Sequence, residues 1–463
     1  MKMYFLEKIN RMRKGVVLLS VLVFGAVATM VVVGGVAGYA IFENKASNRV
    51  NNRDLAFHIA EAGINYYRWH LAHNPTDYKD GSSGDGPYVH EYRDKDGNVI
   101  GSYSLVIIPP LAGSTVVTIE STGAVIADPA VTRTIRVRVG FPALTDYVFL
   151  QNGNMNFSFT TEVHGTIHSN GGIRFDGTTD SWVKSAKETY KYENQTHDGV
   201  WGGGGPKSFW QYPVPAIDFG SISSDISGIQ SLANNGGKYL TLSGNEGWHI
   251  VFSGSTFSVY RVLTVDCYPG EGKWKHKWSN WYWDGTTYCY DIGTETLVGT
   301  ENIPENGAIF SEDNVWVEGT MNGRVVVGVG KIPVQEPYKK IFVSGNLLYA
   351  AKSADDVIGL IAQGDILTPY EVPDDMEIDA AMLSQFGMIG RPFYDSNEKN
   401  SLLVFGSQIS YVSGGWKYNN GWGNVISGFV NTNHTYDGNL KYYPPPGFPV
   451  GSVYELISWE EVK

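Results

Sequence analysis

Cysteine is scarce in this chain: Cys267 and Cys289 are the only two in 463 residues. A zinc framework needs about four ligands, so this count excludes one built on cysteine. Basic clusters are scarce as well. The chain has 35 basic and 47 acidic residues, a net charge of −12, and its only basic cluster is Lys8, Arg11, Arg13 and Lys14. A nucleic-acid binder carries a basic stripe, and no partner of that class is expected here. Charge is missing altogether from Gly15 to Phe42. That run of about 28 residues would be about 42 Å long as a helix, against about 30 Å of bilayer hydrocarbon. It is too long and too apolar for the core helix of a soluble domain, and the basic cluster ahead of it places the N-terminus in the cytoplasm.

Hydrophobic residues make up 42% of the chain, which is enough for a sizeable core. Gly (55), Tyr (28) and Trp (13) are abundant, a mixture that suits strands and tight turns. The length allows two or three domains at roughly 150 residues each. Both cysteines follow the apolar run, in a compartment that permits disulfides. One Cys267–Cys289 bridge would close a loop of about 20 residues and contribute about 3 kcal/mol. Two free thiols are the alternative.

A cleaved secretory signal competes with a membrane anchor, since Gly38 and Ala40 would suit cleavage after Ala40. The helical pattern runs on past that point, however. Ala46, Val50, Phe57, Ala60, Ile64, Tyr67 and Leu71 recur at steps of three, four or seven, one apolar stripe that ends at Asn74-Pro75. One long helix over about 16–71 is therefore expected, its stripe packed on the strand Thr132–Val139.

A short basic leader, Lys14-Gly15, then Val16-Val17-Leu18-Leu19, resembles a prepilin leader. In that family a prepilin peptidase cuts after the glycine and the new N-terminus, here Val16, is methylated. The run Ala60-Glu61-Ala62-Gly63-Ile64 resembles the helix motif of PilX-type minor pilins, proteins of type IV pilus assembly. Major pilins carry glutamate at the fifth mature position; here it is Ser20. A buried glutamate is costly in a bilayer unless paired, and pilins pair it with a neighbour's N-terminal amine. Ser20 therefore argues against a repeating shaft subunit.

Three strand-like runs follow the helix: Gly101–Ile108, Ser114–Gly123 and Thr132–Val139. The last alternates cleanly, with one polar face. A helix followed by a small antiparallel meander is the pilin plan. From Val163 the pattern changes to short apolar strands punctuated by Gly, Asn and Asp, as in Val163–Ile173, Ala308–Val317, Ile341–Leu348, Ile358–Leu367 and Leu402–Ile409. Repetition at intervals of about 10–45 residues predicts stacked rungs of a β-solenoid, with a β-sandwich as the rival. The runs Ile167–Ile173, Val315–Gly319, Gly359–Gln363, Tyr442–Pro449 and Ile457–Glu461 resemble bacterial surface proteins that join a PilX-type N-terminus to a Gly-rich β-solenoid.

The fold class expected is thus mainly β: a long N-terminal transmembrane helix, a small pilin-like antiparallel meander, and a β-solenoid body with an aromatic-rich insertion. The boundaries expected are a leader at 1–15, a helix at 16–72 (transmembrane 16–42, amphipathic 43–72), a meander at 73–144, and a body at 145–463 with the insertion at about 178–300.

Candidate sites are few. His164 and His168 share a strand face, but the sequence places no third metal ligand beside them, and solvent-facing histidines are the plainer reading. Gly202–Gly205 before Pro206-Lys207-Ser208 lacks the final glycine and the preceding strand of a phosphate loop. Asp374, Asp375, Glu377 and Asp379 offer an acid/base pair or a calcium site, or merely a Pro-Asp-Asp turn. Asp355-Asp356 reads the same way. Trp274, Trp278, Trp281 and Trp283, among Lys273, Lys275, His276 and Lys277, offer a partner- or sugar-binding surface, or a lid packed on the body. Pro444-Pro445-Pro446 reads as a rigid return segment. No catalytic residue, metal or cofactor is expected.

The resemblance implies a non-enzymatic surface protein, a pilus assembly or tip component or an adhesin. It implies a single pass of the cytoplasmic membrane, an extracytoplasmic body, and as partners other pilins, the assembly machinery and the peptidase, with surface carbohydrate as a further one. Two alternatives stay open: a membrane-anchored β-solenoid enzyme acting on polysaccharide, and a structural envelope protein without a pilus link.

Overall fold

The computed structural model describes the chain except Met1, Ala112, Leu144, residues 220–224, 278–279, Ala354, 421–423, Ser452 and Lys463, and except the side chains of 2–15, 225 and 274–284. The fold is mainly β, with a long N-terminal apolar helix and large multi-stranded sheets. Two compact units are present. The first comprises Met1–Pro109, Val117–Val139 and Leu456–Lys463; the second comprises Pro110–Val116 and Gly140–Glu455.

In the first unit one uninterrupted helix runs over Lys2–His73. Five strands, Tyr88–Arg93, Val99–Ile108, Val116–Val125, Asp128–Gly140 and Glu455–Val462, form one sheet in that order. The C-terminal strand completes this sheet, which the sequence reading had limited to the segment before residue 144. Two arginines hold it there: Arg133 pairs with Glu461, and Arg136 lies 3.3 Å from Glu460. Val116–Val125 alternates half-buried and buried residues along its whole length, as a strand with one covered face must.

That face is covered by the second half of the helix through Ala56, Ile59, Ala60, Ile64, Tyr67 and Leu71, all buried. Ala60, Ile64, Tyr67 and Leu71 belong to the expected stripe, and Ala56 and Ile59 widen it. Val50 is 58% exposed, and Phe57 sits at the rim, edge-on to Trp459 at 5.7 Å. Small residues set the stripe, because the backbones approach closely. A Cβ on Gly63 would lie 2.8 Å from the Tyr103 ring, and one on Gly101 would run into Ile59. After Pro75 the chain is pinned by two aspartates. Asp77 accepts from His70 at 3.0 Å and from the amides of Lys79 and Gly81; Asp80 accepts from Tyr66 at 3.1 Å and binds His90 at 2.7 Å.

In the second unit short strands pair in parallel and in register. Ala308–Ser311 pairs with Arg324–Val329, then Val357–Ala362, Asp375–Ser384 and Asn397–Ser410 follow in turn. A second series runs from Gly247–Gly254 through Val315–Met321 and Ile341–Tyr349 to Ile366–Leu367 and Ile389–Gly390. Ile309, Val327, Leu360 and Met382 stand in register with one another and are all buried. The order of stacking departs from the order of the chain. Phe149–Gln151 pairs in parallel with Asn397–Ser410, and Thr161–His164 with Val425–Tyr436, so the first strands of the body stack on its last.

The parallel pairing also continues beyond residue 178: Thr178–Thr179 and Val183–Ser185 pair with Thr161–His164 and Ile167–Ser169, and Trp210 follows Val183. The insertion expected at about 178–300 is therefore narrower. Its main element is one long antiparallel hairpin, Thr256–Lys277 with Asn280–Asn302. The helix Asp225–Asn234 precedes it and packs Ile229 against Gly328.

A serine recurs where strands end. Ser169, Ser185 and Ser384 each donate to a glycine carbonyl, of Gly153, Gly171 and Gly364. Each also accepts an amide N–H two or three residues on. The hydroxyl replaces the ladder bond that the backbone loses as it leaves the strand.

Candidate functional site

The N-terminal helix carries the first candidate residues. Gly15 and Val16 lie inside it, so no break in secondary structure marks a leader. From Val16 onward it is long and apolar enough to cross a membrane, and its apolar half is exposed throughout. The Ser20 hydroxyl donates to the Val16 carbonyl at 2.9 Å, and Thr29 does the same to Gly25 at 2.8 Å. Both hydroxyls are thus satisfied within the helix. Ser20 leaves that helix face neutral.

The Ala60-Glu61-Ala62-Gly63 motif has a packing role. Ala60 and Gly63 are buried on the sheet side, while Glu61 is turned away and lies 3.5 Å from His58.

Cys267 and Cys289 stand directly opposite each other in the long hairpin and are joined, with Cα atoms 3.9 Å apart, closer than the 4.4–6.8 Å usual for disulfides. The hairpin does not project from its base. Up to the level of the disulfide it lies on the body through ring contacts. Tyr268 stacks on Tyr370 at 3.9 Å, Tyr290 packs tilted against Phe342 at 4.8 Å, and Trp316 donates to the Tyr290 carbonyl at 2.7 Å. Asp291 accepts the amides of Tyr370 and Glu371 at 3.0 and 2.6 Å, and burial raises its carboxyl above the usual range. Nearer the tip, Trp274 faces Trp283 and His276 faces Trp281 in the backbone register. The expectation about exposure of Trp274, Trp281 and Trp283, and all of Trp278, lies outside the described residues.

The remaining candidates resolve into structural roles. His164 and His168 are not a pair on one solvent face, because the strand breaks at Gly165, which has a φ of +132°. His164 is held between Glu162 and Asp180, at 3.1 and 2.8 Å, and these raise its pKa. His168 is buried, and that burial lowers its pKa. Gly202–Gly205 already cradles an anion of this chain, since the Gly203 amide donates to Asp176 at 2.7 Å. Asp374 pairs with Lys399 at 3.2 Å, and Glu377 and Asp379 share Lys352 at 2.7 and 3.0 Å. Asp375 accepts from Asn400 and Ser401. Asp356 accepts two backbone amides, of Gly323 and Ala351, each at 2.7 Å. Pro444 gives its carbonyl to Arg324, and Pro445 lies over Gly359, which fastens the return segment. No group of three His, Cys, Asp or Glu side chains is placed to hold a metal among the described residues.

No protein-family model matches the chain, and no curated protein matches it. Among solved structures, the competence-associated pilin ComZ from Thermus thermophilus aligns over 89% of this chain and 98% of its own, at 14% identity and a TM-score of 0.32. Similarity at that level does not establish a common fold.

Proposed function

We propose that this chain is a non-enzymatic, minor-pilin-like surface protein that acts as a pilus assembly or tip component or as an adhesin. One observation carries the reading: a single helix whose first half is apolar and exposed, and whose second half lies on a small sheet through the Ala60–Gly63 motif. The first half suits insertion in the cytoplasmic membrane and lateral contact with the helices of other pilins. Prepilin peptidase would trim the leader after Gly15 and leave Val16 as the methylated N-terminus. With Ser20 neutral, the subunit fits a singular position better than a repeating one.

The parallel, in-register strands of the second unit support reading the body as stacked solenoid rungs, displayed outside the cytoplasm. The pairing of Asp374, Glu377 and Asp379 with lysines speaks against a free acid/base pair there and favours binding over polysaccharide cleavage. Mass spectrometry of the protein from membranes tests the proposal. A chain beginning at methylated Val16 is expected; an intact Met1, or a chain beginning at Ile41, overturns it.

A further inference from the structure

A cavity of about 740 Å³ opens on the second unit where its first strands stack on its last. Aromatic rings line it, those of Phe149, Phe157, Phe159, Tyr192, Trp416 and Tyr418, together with polar side chains that include Gln151, Asn156 and Asn419. A second cavity of about 430 Å³ shares Phe159, Thr161 and Thr432 with the first, so the two form one groove. Phe159 stands at their junction and is 66% exposed, although it is an apolar ring on a well-packed body. Along the second cavity Leu402, Thr432 and Thr161 stand in register, and so do Asn433, Glu162 and Thr178. Successive strands therefore present the hydroxyls of Thr161, Thr178 and Thr432 and the amide of Asn433 at steps of about 4.8 Å, with the Glu162 carboxylate between them engaged by Asn433 and His164, each at 3.1 Å.

Two polar groups of the groove have fewer partners than they can take. Gln151 is only 5% exposed, lines the groove, and its amide nitrogen has no partner among the described residues. A buried amide without a partner costs about 1–3 kcal/mol unless something binds it. Lys417 also lines the groove, and its ammonium donates to the Thr160 hydroxyl at 2.6 Å and the Val430 carbonyl at 3.1 Å. Among the described residues no carboxylate lies within ion-pair distance of it, and burial lowers its pKa to about 8. The other charged or titratable groups of the groove are Arg174, Asp176, Glu162, Glu193, His434, Tyr192 and Tyr418. Asp176 is engaged by Arg174 at 2.8 Å and by the Gly203 amide, and His434 by Gln408 at 3.1 Å.

We propose that this groove binds an acidic oligosaccharide, with sugar rings against Phe159 and its neighbouring aromatics, a hydroxyl on Gln151, and a carboxylate on Lys417. Flat apolar rings beside amides and hydroxyls match the apolar faces and the hydroxyl edges of sugars. The unpaired ammonium adds the preference for an acid. The inference rests on the proposed extracytoplasmic display, which is where such a ligand would be met.

The test is calorimetric titration of the full chain in detergent with hexamers of galacturonate, alginate and hyaluronan, and with a neutral glucose hexamer. At least one acidic hexamer should bind about tenfold more tightly than the neutral one. Lys417→Gln should remove that preference, and Phe159→Ala, at an exposed site, should weaken both kinds of ligand. Absence of binding to every acidic hexamer by the folded chain overturns the proposal, as does a preference that survives Lys417→Gln. The mature N-terminus of the same preparation is read separately. A chain that begins at Val16 and fails to bind sinks the groove alone, whereas a binder that keeps Met1 sinks only the pilin-like reading.

Discussion

A Cβ built on Gly123 would lie 2.5 Å from the backbone nitrogen of Ala60, so strand and helix touch backbone to backbone at the heart of the Ala60–Gly63 motif. Nothing on either side can give way cheaply, because the atoms met are main chain. Gly123→Ala should therefore loosen the first unit by about 1–3 kcal/mol, the usual cost of overpacking. Gly228 makes the contrast: it lies in the helix Asp225–Asn234 with nothing within 4 Å of its would-be Cβ. Gly228→Ala should be neutral or stabilise by about 0.5–1 kcal/mol. Hydrogen exchange of residues 56–71 reads the first effect and urea denaturation the second.

Acid should weaken the second unit through His434. Burial, aided by the nearby Lys417 charge, pushes this imidazole down to about 3. In the unfolded chain it titrates near 6.5. Between those values the unfolded chain takes up a proton that the native state refuses. Stability is therefore present above about pH 6.5 and is lost as the pH falls toward 3, by at most about 1.4 kcal/mol per pH unit. His434→Gln keeps a polar partner for Gln408 and should flatten that part of the profile. Urea midpoints at pH 7 and pH 4 for both proteins check this; equal slopes would assign the acid sensitivity to other groups.

The long helix and the alternating strands were legible because each is a local pattern: an uncharged run from Gly15, a stripe through Ala60 and Ile64, and a period of two through Thr132–Val139. The widening of the stripe to Ala56 and Ile59 was not, since it depends on Gly101 and Gly123 across the interface. The order of the strands in the body was hidden for a different reason. The Ser407 hydroxyl donates to the Tyr147 carbonyl at 2.6 Å across 260 residues of sequence, and no local signal reports such a partner. The groove between those strands was invisible for the same reason, because Gln151 and Lys417 come to line one cavity only after the ends of the body stack. The serine corners were within reach. Ser169-Asn170-Gly171 carries turn chemistry that marks the end of a strand.

The disulfide should fasten the outer hairpin and leave the stacked strands unaffected. Cys267 and Cys289 are 22 residues apart, and the rings of Tyr268 and Tyr290 already dock the hairpin's lower part. Closure of such a loop contributes about 3 kcal/mol by restricting the unfolded chain, and the stacked strands lie outside the loop it closes. Reduction, or the double change Cys267→Ser and Cys289→Ser, should make residues 270–285 sensitive to protease while the urea midpoint of the body moves little. Mapping the first cleavage site by mass spectrometry checks this. Cleavage first within the parallel strands would show that the bridge supports the body itself.

Arg391 and Asp291 hold one turn from its two polar sides. The fully buried guanidinium donates to the carbonyls of Pro369 at 2.6 Å and Tyr370 at 3.0 Å, and to Asn397, while Asp291 takes the amides of Tyr370 and Glu371. Burial lowers Arg391 to about 10, which still leaves it charged at neutral pH, and the rings of Tyr394 and Phe429 lie 5.2 and 5.6 Å from it. Arg391→Met would strand two carbonyl oxygens out of reach of water and should cost about 3–5 kcal/mol. Arg391→Lys keeps the charge but replaces a planar fork with a single ammonium, so about 2 kcal/mol should still be lost. Asp291→Asn keeps the shape and one acceptor and should cost less. Because both residues act on the same three-residue turn, the double change Arg391→Met with Asp291→Asn should fall short of the sum of the two by about 0.5–3 kcal/mol. Urea denaturation of the four proteins measures that coupling; strict additivity would mean that arginine and aspartate hold the turn independently.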